Sequence, residues 1–135
     1  MFILDSYALL CLFDRKRKKE GHIVKKHMEE AEAGGKRLLL SKINEGEVFY
    51  KLYKYLGSGI AYGFREDLRQ GLIPVQVVSV NDKRAEAASE IKANYPVSYA
   101  DAFCIALAVE MGMPVLTGDP EFRSAQDIIE IVELV

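Results

Sequence analysis

The sequence predicts an α/β fold in which a mostly parallel sheet is covered by helices on both faces. Three observations predict it. Short apolar runs alternate along the chain with longer segments of helical periodicity. The short runs are apolar at consecutive positions, as strands buried on both faces are, and lack the alternation of a half-exposed strand. The 135 residues are half apolar and 28% charged, which suits a single domain, residues 1–135, with a sizeable core.

In chain order, Phe2-Ile3-Leu4 reads as a short buried strand that ends at Asp5. Tyr7–Phe13 is an apolar stretch compatible with a helix. Gly21–Ala33 carries Ile23, Val24, His27, Met28 and Ala31 at helical spacing, and Gly34-Gly35 stops it. Leu38-Leu39-Leu40 is a second buried strand, too short for a helix. Ile43–Leu56 and Ile60–Gln70 are helices closed by Gly57 and Gly71. Val75–Val80, β-branched and following Pro74, is a strand. Asp82–Tyr95 is an Ala-rich helix stopped before Pro96, and Ser98–Met111 is another, stopped by Gly112. Val115-Leu116 is a strand that runs into Thr117-Gly118-Asp119-Pro120, and a strand near Ile129–Leu134 closes the sheet.

Composition narrows the function classes. The longest apolar run, Ala102–Val109, has eight residues, whereas a membrane span needs about 20. No basic leader or small-residue cleavage site precedes the first strand, so a cytoplasmic protein is expected. Cys11 and Cys104 each sit in an apolar run and read as buried thiols. The net charge of −2 hides an asymmetry: residues 1–71 carry +4 and residues 72–135 carry −6. The balance argues against a protein that coats nucleic acid, but not against one that holds a phosphate backbone locally.

Ligands of open parallel sheets sit beyond the carboxyl ends of the strands. There the sequence places Asp5 after the first strand, Glu47 early in the helix after the second, and Asp119 after the fourth; Asp101 opens the helix Ser98–Met111. Three of the acids have an ordinary alternative, whereas Asp5, at the end of a buried strand, is harder to dismiss. Ser98-x-x-Asp101 and Asn44-x-x-Glu47 fit the capping box, and Asp119 before Pro120 fits a turn. Convergence has a cost, since two like charges about 4 Å apart repel by about 4 kcal/mol at an effective dielectric of about 20. Raised pKa values or a cation must offset it. An all-oxygen set selects Mg²⁺ or Mn²⁺ over zinc. Such an ion binds a phosphodiester oxygen and activates water for in-line attack. A nucleotide cofactor is not expected, because no Gly-rich phosphate loop follows the first strand.

Four segments carry a resemblance. They are Leu4-Asp5-Ser6-Tyr7-Ala8-Leu9-Leu10, Ile43-Asn44-Glu45-Gly46-Glu47-Val48-Phe49-Tyr50, Ser98-Tyr99-Ala100-Asp101-Ala102-Phe103 and Leu116-Thr117-Gly118-Asp119-Pro120-Glu121-Phe122. In this order and spacing the chain resembles the PIN domain, a family of metal-dependent ribonucleases, and in particular the VapC-like toxins of toxin–antitoxin pairs. The resemblance implies a three-layer α/β/α sandwich. It implies Mg²⁺- or Mn²⁺-dependent endoribonuclease activity, with Asp5, Glu47, Asp101 and Asp119 as the metal-binding, catalytic acids. Ser6, Asn44 and Thr117 would be supporting or phosphate-contacting polar groups, and Glu45 and Glu121 fall outside the set. A homodimer held inactive by a VapB-like antitoxin is also implied.

The basic run Arg15-Lys16-Arg17-Lys18-Lys19 departs from the usual family pattern and is a candidate for RNA phosphate binding, against the alternative of a solvated loop. Tyr50, Tyr53 and Tyr55 alternate with Lys51 and Lys54, a pattern open to base stacking or to packing. The rival from another class is a non-catalytic RNA- or protein-binding module on the same fold, which has no need of four acids. A phosphoryl-transfer enzyme with Asp5 as nucleophile is disfavoured, because Tyr7 stands where a second Asp is usual.

Overall fold

The computed structural model describes residues 1–134. Five strands form one sheet: β1 (Ile3–Leu4), β2 (Leu38–Ser41), β3 (Val75–Val78), β4 (Val115–Thr117) and β5 (Ile131–Glu133). Their order is β3-β2-β1-β4-β5, and every pairing is parallel. Ile3 lies beside Leu39 and Val115, and Leu4 beside Leu40 and Leu116. The central strands are apolar up to the Ser41 and Thr117 that end β2 and β4, because alternate side chains enter opposite cores. Ile3, Leu39 and Val115 face one cluster; Leu4, Leu38, Leu40 and Leu116 face the other.

The first core is roofed by α5 (Asp82–Asn94) and α6 (Tyr99–Met111), with the 3₁₀ segment Pro120–Ala125 contributing buried Phe122. The second is roofed by α1 (Ser6–Leu10), α2 (Lys18–Ala33), α3 (Lys42–Leu56) and α4 (Ser58–Gln70), which contributes buried Phe64. This is the expected three-layer α/β/α sandwich.

Differences from expectation lie at element ends. The first helix stops at Leu10 rather than Phe13, and residues 11–13 form a turn. The second begins at Lys18, three residues before Gly21, so the basic run is no loop: Arg15–Arg17 form a 3₁₀ turn and Lys18 and Lys19 open α2. Gly21 is a packing residue within α2 and not its boundary, since a Cβ there would lie 2.7 Å from the Cys11 carbonyl oxygen. The third strand ends at Val78, and the last starts at Ile131. The helix after β2 begins at Lys42, capped by Ser41, whose hydroxyl accepts from the Ile43 N–H at 3.2 Å. Asn44 is therefore inside the helix and caps nothing.

Candidate metal centre

The carboxyl ends of β1 and β4 adjoin at the middle of the sheet, where the connections diverge to its two halves. Asp5 follows β1 directly and caps α1, its Oδ1 accepting from the Ala8 N–H at 2.8 Å. Its Oδ2 accepts from the Thr117 hydroxyl, at the end of β4. The same Thr117 oxygen accepts from the Asp119 N–H at 2.9 Å, so one buried hydroxyl holds both acidic segments together. Asp119 in turn caps the 3₁₀ segment through the Glu121 N–H. Ser98 caps α6, its hydroxyl accepting from the Asp101 N–H at 3.1 Å, which is the hydroxyl half of the capping box, while the Asp101 side chain lines the same cleft.

Asp5, Glu47, Asp101 and Asp119 all line one cleft of about 390 Å³. Of these four, Asp101 and Asp119 have carboxylate oxygens within 4.8 Å of each other. Glu121 differs from its expected position: it lines the same cleft, and its carboxylate lies within 4.8 Å of those of Asp101 and Asp119. Asp119 as cap and Pro120 at the first position start a helical turn, and that turn places the residue two positions on back toward the cap. Glu45 lies outside, as expected. It is buried, with Arg65 Nε at 2.8 Å and Arg65 Nη2 at 3.3 Å, and Lys42 at 3.3 Å.

The acids are held in a field that opposes their charge. Burial pushes Asp5 up to about 7; bonds from Thr117 and Ala8 oppose the rise, and the neighbouring Asp101 and Asp119 add to it. Burial likewise raises Asp101 to about 6; hydrogen bonding with Ser98 counters, while Asp119, Glu47 and Glu121 reinforce. Among the described residues, Asp5, Asp101, Asp119 and Glu121 have no cationic partner. Glu47 is the exception: Lys51 Nζ stands 3.3 Å from its Oε2, and Ser6 donates to its Oε1.

The supporting polar residues divide by burial. Asn44 is fully buried and donates from Nδ2 to Ser6 Oγ at 3.3 Å and to the Ala100 carbonyl at 3.2 Å. It links α3 to α1 and to the start of α6. Thr117 is also sealed from solvent. Neither can touch a phosphate, so their part is to hold carboxylates; Ser6 alone of the three lines the cleft.

Two residues of the cleft wall have no separate signal in the sequence. Tyr7 lies across Gly118, where a Cβ would collide with its ring. Arg17 sits with its guanidinium 4.7 Å from the Tyr7 ring centroid, bonds the Tyr7 hydroxyl and pairs with Asp14 and Glu20. The basic run is thereby split. Arg17 belongs to the acidic cleft, Arg15 and Lys18 line a neighbouring groove, and Lys16 and Lys19 line neither. Tyr50, Tyr53 and Tyr55 are exposed, and Tyr53 packs beside Phe49 and Tyr62. Both cysteines are buried free thiols, with Cys11 pushed up to about 12 by burial, so neither is a nucleophile.

A family model described as PIN domain matches residues 2–128. The chain belongs to the PIN domain family. No curated protein sequence matches this PIN domain. Among solved structures it is similar to DNA-bound VapBC from Salmonella typhimurium, with 20% identity, a TM-score of 0.70, and coverage of 99% of this chain and 98% of that one. Mycobacterium tuberculosis VapC20, a sarcin–ricin loop cleaving toxin, is 19% identical with a TM-score of 0.72, over 93% and 95% of the two chains. FitAcB from Neisseria gonorrhoeae is 17% identical with a TM-score of 0.72, over 99% and 98%. At these identities the likeness carries the fold, and the VapC-like resemblance seen in the four segments agrees with it. No helix among the described residues of this PIN domain is long and apolar enough to cross a membrane.

Proposed function

We propose that this PIN domain, spanning residues 1–135, is a Mg²⁺- or Mn²⁺-dependent endoribonuclease and the toxin of a VapBC-type pair. One observation carries the reading. Asp5, Glu47, Asp101 and Asp119, from separate parts of the chain, share a cleft; of these only Glu47 has a cationic partner among the described residues, and burial raises Asp5 and Asp101 toward neutrality. A cation from outside the chain relieves this better than any neighbour does.

The donor set fits such an ion. Octahedral Mg²⁺ with ligands at about 2.1 Å spaces its oxygens about 3–4 Å apart. The Asp101, Asp119 and Glu121 oxygens, within 4.8 Å of one another, need only side-chain adjustment to reach that spacing. All donors are carboxylates, with no His or Cys, which favours Mg²⁺ or Mn²⁺. Asp101, Asp119, Asp5 and Glu47 would hold the ion, with Glu121 added to the set expected from sequence. When bound, the ion supplies positive charge to a phosphodiester oxygen and activates water for attack.

The chain's own groups do the rest. Thr117 fixes Asp5 and Asp119 in register, Ser6 and Asn44 orient Glu47, and Lys51 and Arg17 at the cleft wall offer positive charge to a phosphate. The likeness to toxin–antitoxin complexes supports a VapB-like antitoxin as partner; that the toxin is a cytoplasmic homodimer is part of the same proposal and rests on the family resemblance alone. A non-catalytic binding module is the weaker reading, because it leaves the unpaired acids without a purpose.

The test is cleavage of RNA with Mg²⁺ or Mn²⁺ and with EDTA, followed by analysis of the product ends. Products with 5′-phosphate and 3′-hydroxyl ends, lost in EDTA, are expected, because water and not the ribose 2′-hydroxyl is the nucleophile. Metal-independent cleavage to 2′,3′-cyclic phosphate would overturn the mechanism.

A further inference from the structure

We propose that Arg15, Lys18, His22 and Lys25 form a groove that holds the phosphate backbone of single-stranded RNA where it leaves the acidic cleft. This rests on the nuclease reading and adds a substrate path to it. The groove, about 600 Å³, lies between the turn after α1 and the first two turns of α2. Cys11 and Asp14 line both it and the acidic cleft, so the two depressions adjoin. Gly21 makes this possible. Its missing side chain lets α2 sit against the Cys11 carbonyl, which brings the helix face bearing Lys18, His22 and Lys25 to the cleft rim. Those three recur at i, i+4 and i+7, on one face of the helix.

The charge of the groove is free to act on a ligand. Among the described residues none of its four basic side chains has an ion-pair partner. Asp14, the one acid in the lining, is engaged by Arg17 at 3.5 Å and by the Lys16 N–H at 2.9 Å. A concave cationic surface continuous with an acidic, cation-seeking cleft matches a polyanion whose bridging phosphate is delivered to that cleft. An acidic protein segment would complement the groove but be repelled by the acids beside it, so RNA is the better fit.

The test is anisotropy of labelled single-stranded RNA in EDTA across a range of salt concentrations, with the full chain carrying Asp101→Asn as the non-cleaving parent. The Arg15→Gln/Lys18→Gln/His22→Gln/Lys25→Gln variant is expected to bind about 10–100-fold more weakly at low salt. Its log–log salt slope should be shallower by about 2, since the contacts of Arg15, Lys18 and Lys25 each contribute about 0.7. Lys16→Gln/Lys19→Gln, which removes charge outside the groove, is expected to change the slope by less than half as much. All replaced residues are exposed, and melting curves verify the fold. Equal effects of the two variants, or a parent-like slope in the groove variant, would overturn the groove. So would weakened binding of polyglutamate with RNA binding untouched, which would assign the surface to an acidic protein. A parent that binds no RNA, together with an unmodified chain that cuts none in Mn²⁺, would instead remove the nuclease reading beneath it.

Discussion

Asp101→Asn is expected to abolish divalent-metal-supported RNA cleavage while leaving the fold intact. The loss should exceed the about 10–100-fold that follows removal of a group merely supporting a metal ligand. The fold survives because the cap at the start of α6 uses the Asp101 backbone N–H and the Ser98 hydroxyl, and neither depends on the carboxylate. Asp101 is only 8% exposed, and the neutral amide removes a charge that burial disfavours. Without metal, the variant should therefore melt at or above the temperature of the parent. Cleavage rate and melting temperature, measured on the same preparation, check this. An Asp101→Asn chain that cleaves at the parent rate would exclude the site.

The second large effect is on stability and its pH dependence. Asp5 titrates near 3.8 when free and near 7 in the fold, and Asp101 near 3.8 and near 6. Between those values the folded chain holds protons that the unfolded chain has lost, so stability falls as pH rises. The contribution is complete below 3.8 and is gone once pH passes the folded values. Glu110 and Glu133 have the opposite sign. Bonds from Arg84 and Arg123 lower them, and their stabilisation fades as pH falls below about 4.5. The interval from pH 5 to 7.5 therefore isolates the two cleft acids. At about 1.4 kcal/mol per pH unit for each group, the metal-free protein should lose about 4 kcal/mol across it. For a chain of this length that is more than about 10 °C in melting temperature. Asp5→Asn should lose markedly less, and Mg²⁺ or Mn²⁺ at pH 7.5 should restore stability to the parent but far less to the variant. Thermal melts of both proteins with and without the ion provide the measurement. A flat metal-free profile for the parent would contradict the buried, like-charged cleft.

The sheet and its two helical layers were legible because runs such as Leu38-Leu39-Leu40 admit one physical reading, a strand with both faces covered. The placement of Asp5, Glu47 and Asp119 at one edge was legible for a related reason, since parallel strands send their carboxyl ends to one edge, whereas Asp101 reaches the cleft only through the packing of α6. What escaped the sequence was contact between segments. Glu121 falls outside the acid set in sequence, yet the turn begun by Asp119 and Pro120 carries it into the cleft. Arg17 reads as one of five like cations until Tyr7, Asp14 and Glu20 single it out. Asn44 imitates a helix cap in sequence, yet Ser41 caps that helix and Asn44 is a buried tie between three helices. Gly21 resembles a helix boundary, because the carbonyl that requires its small size lies ten residues earlier in the chain.

The most direct measurement is calorimetric titration of Mn²⁺ into the metal-free protein at several pH values. Saturable binding is predicted, with proton release that grows as pH is lowered from 7.5 toward 6, because the raised carboxyls must ionise to take the ion. Combined loss of Asp101 and Asp119 should eliminate both the heat and the proton release. Absence of saturable binding in the parent, or binding that survives removal of those two carboxylates, would contradict the account.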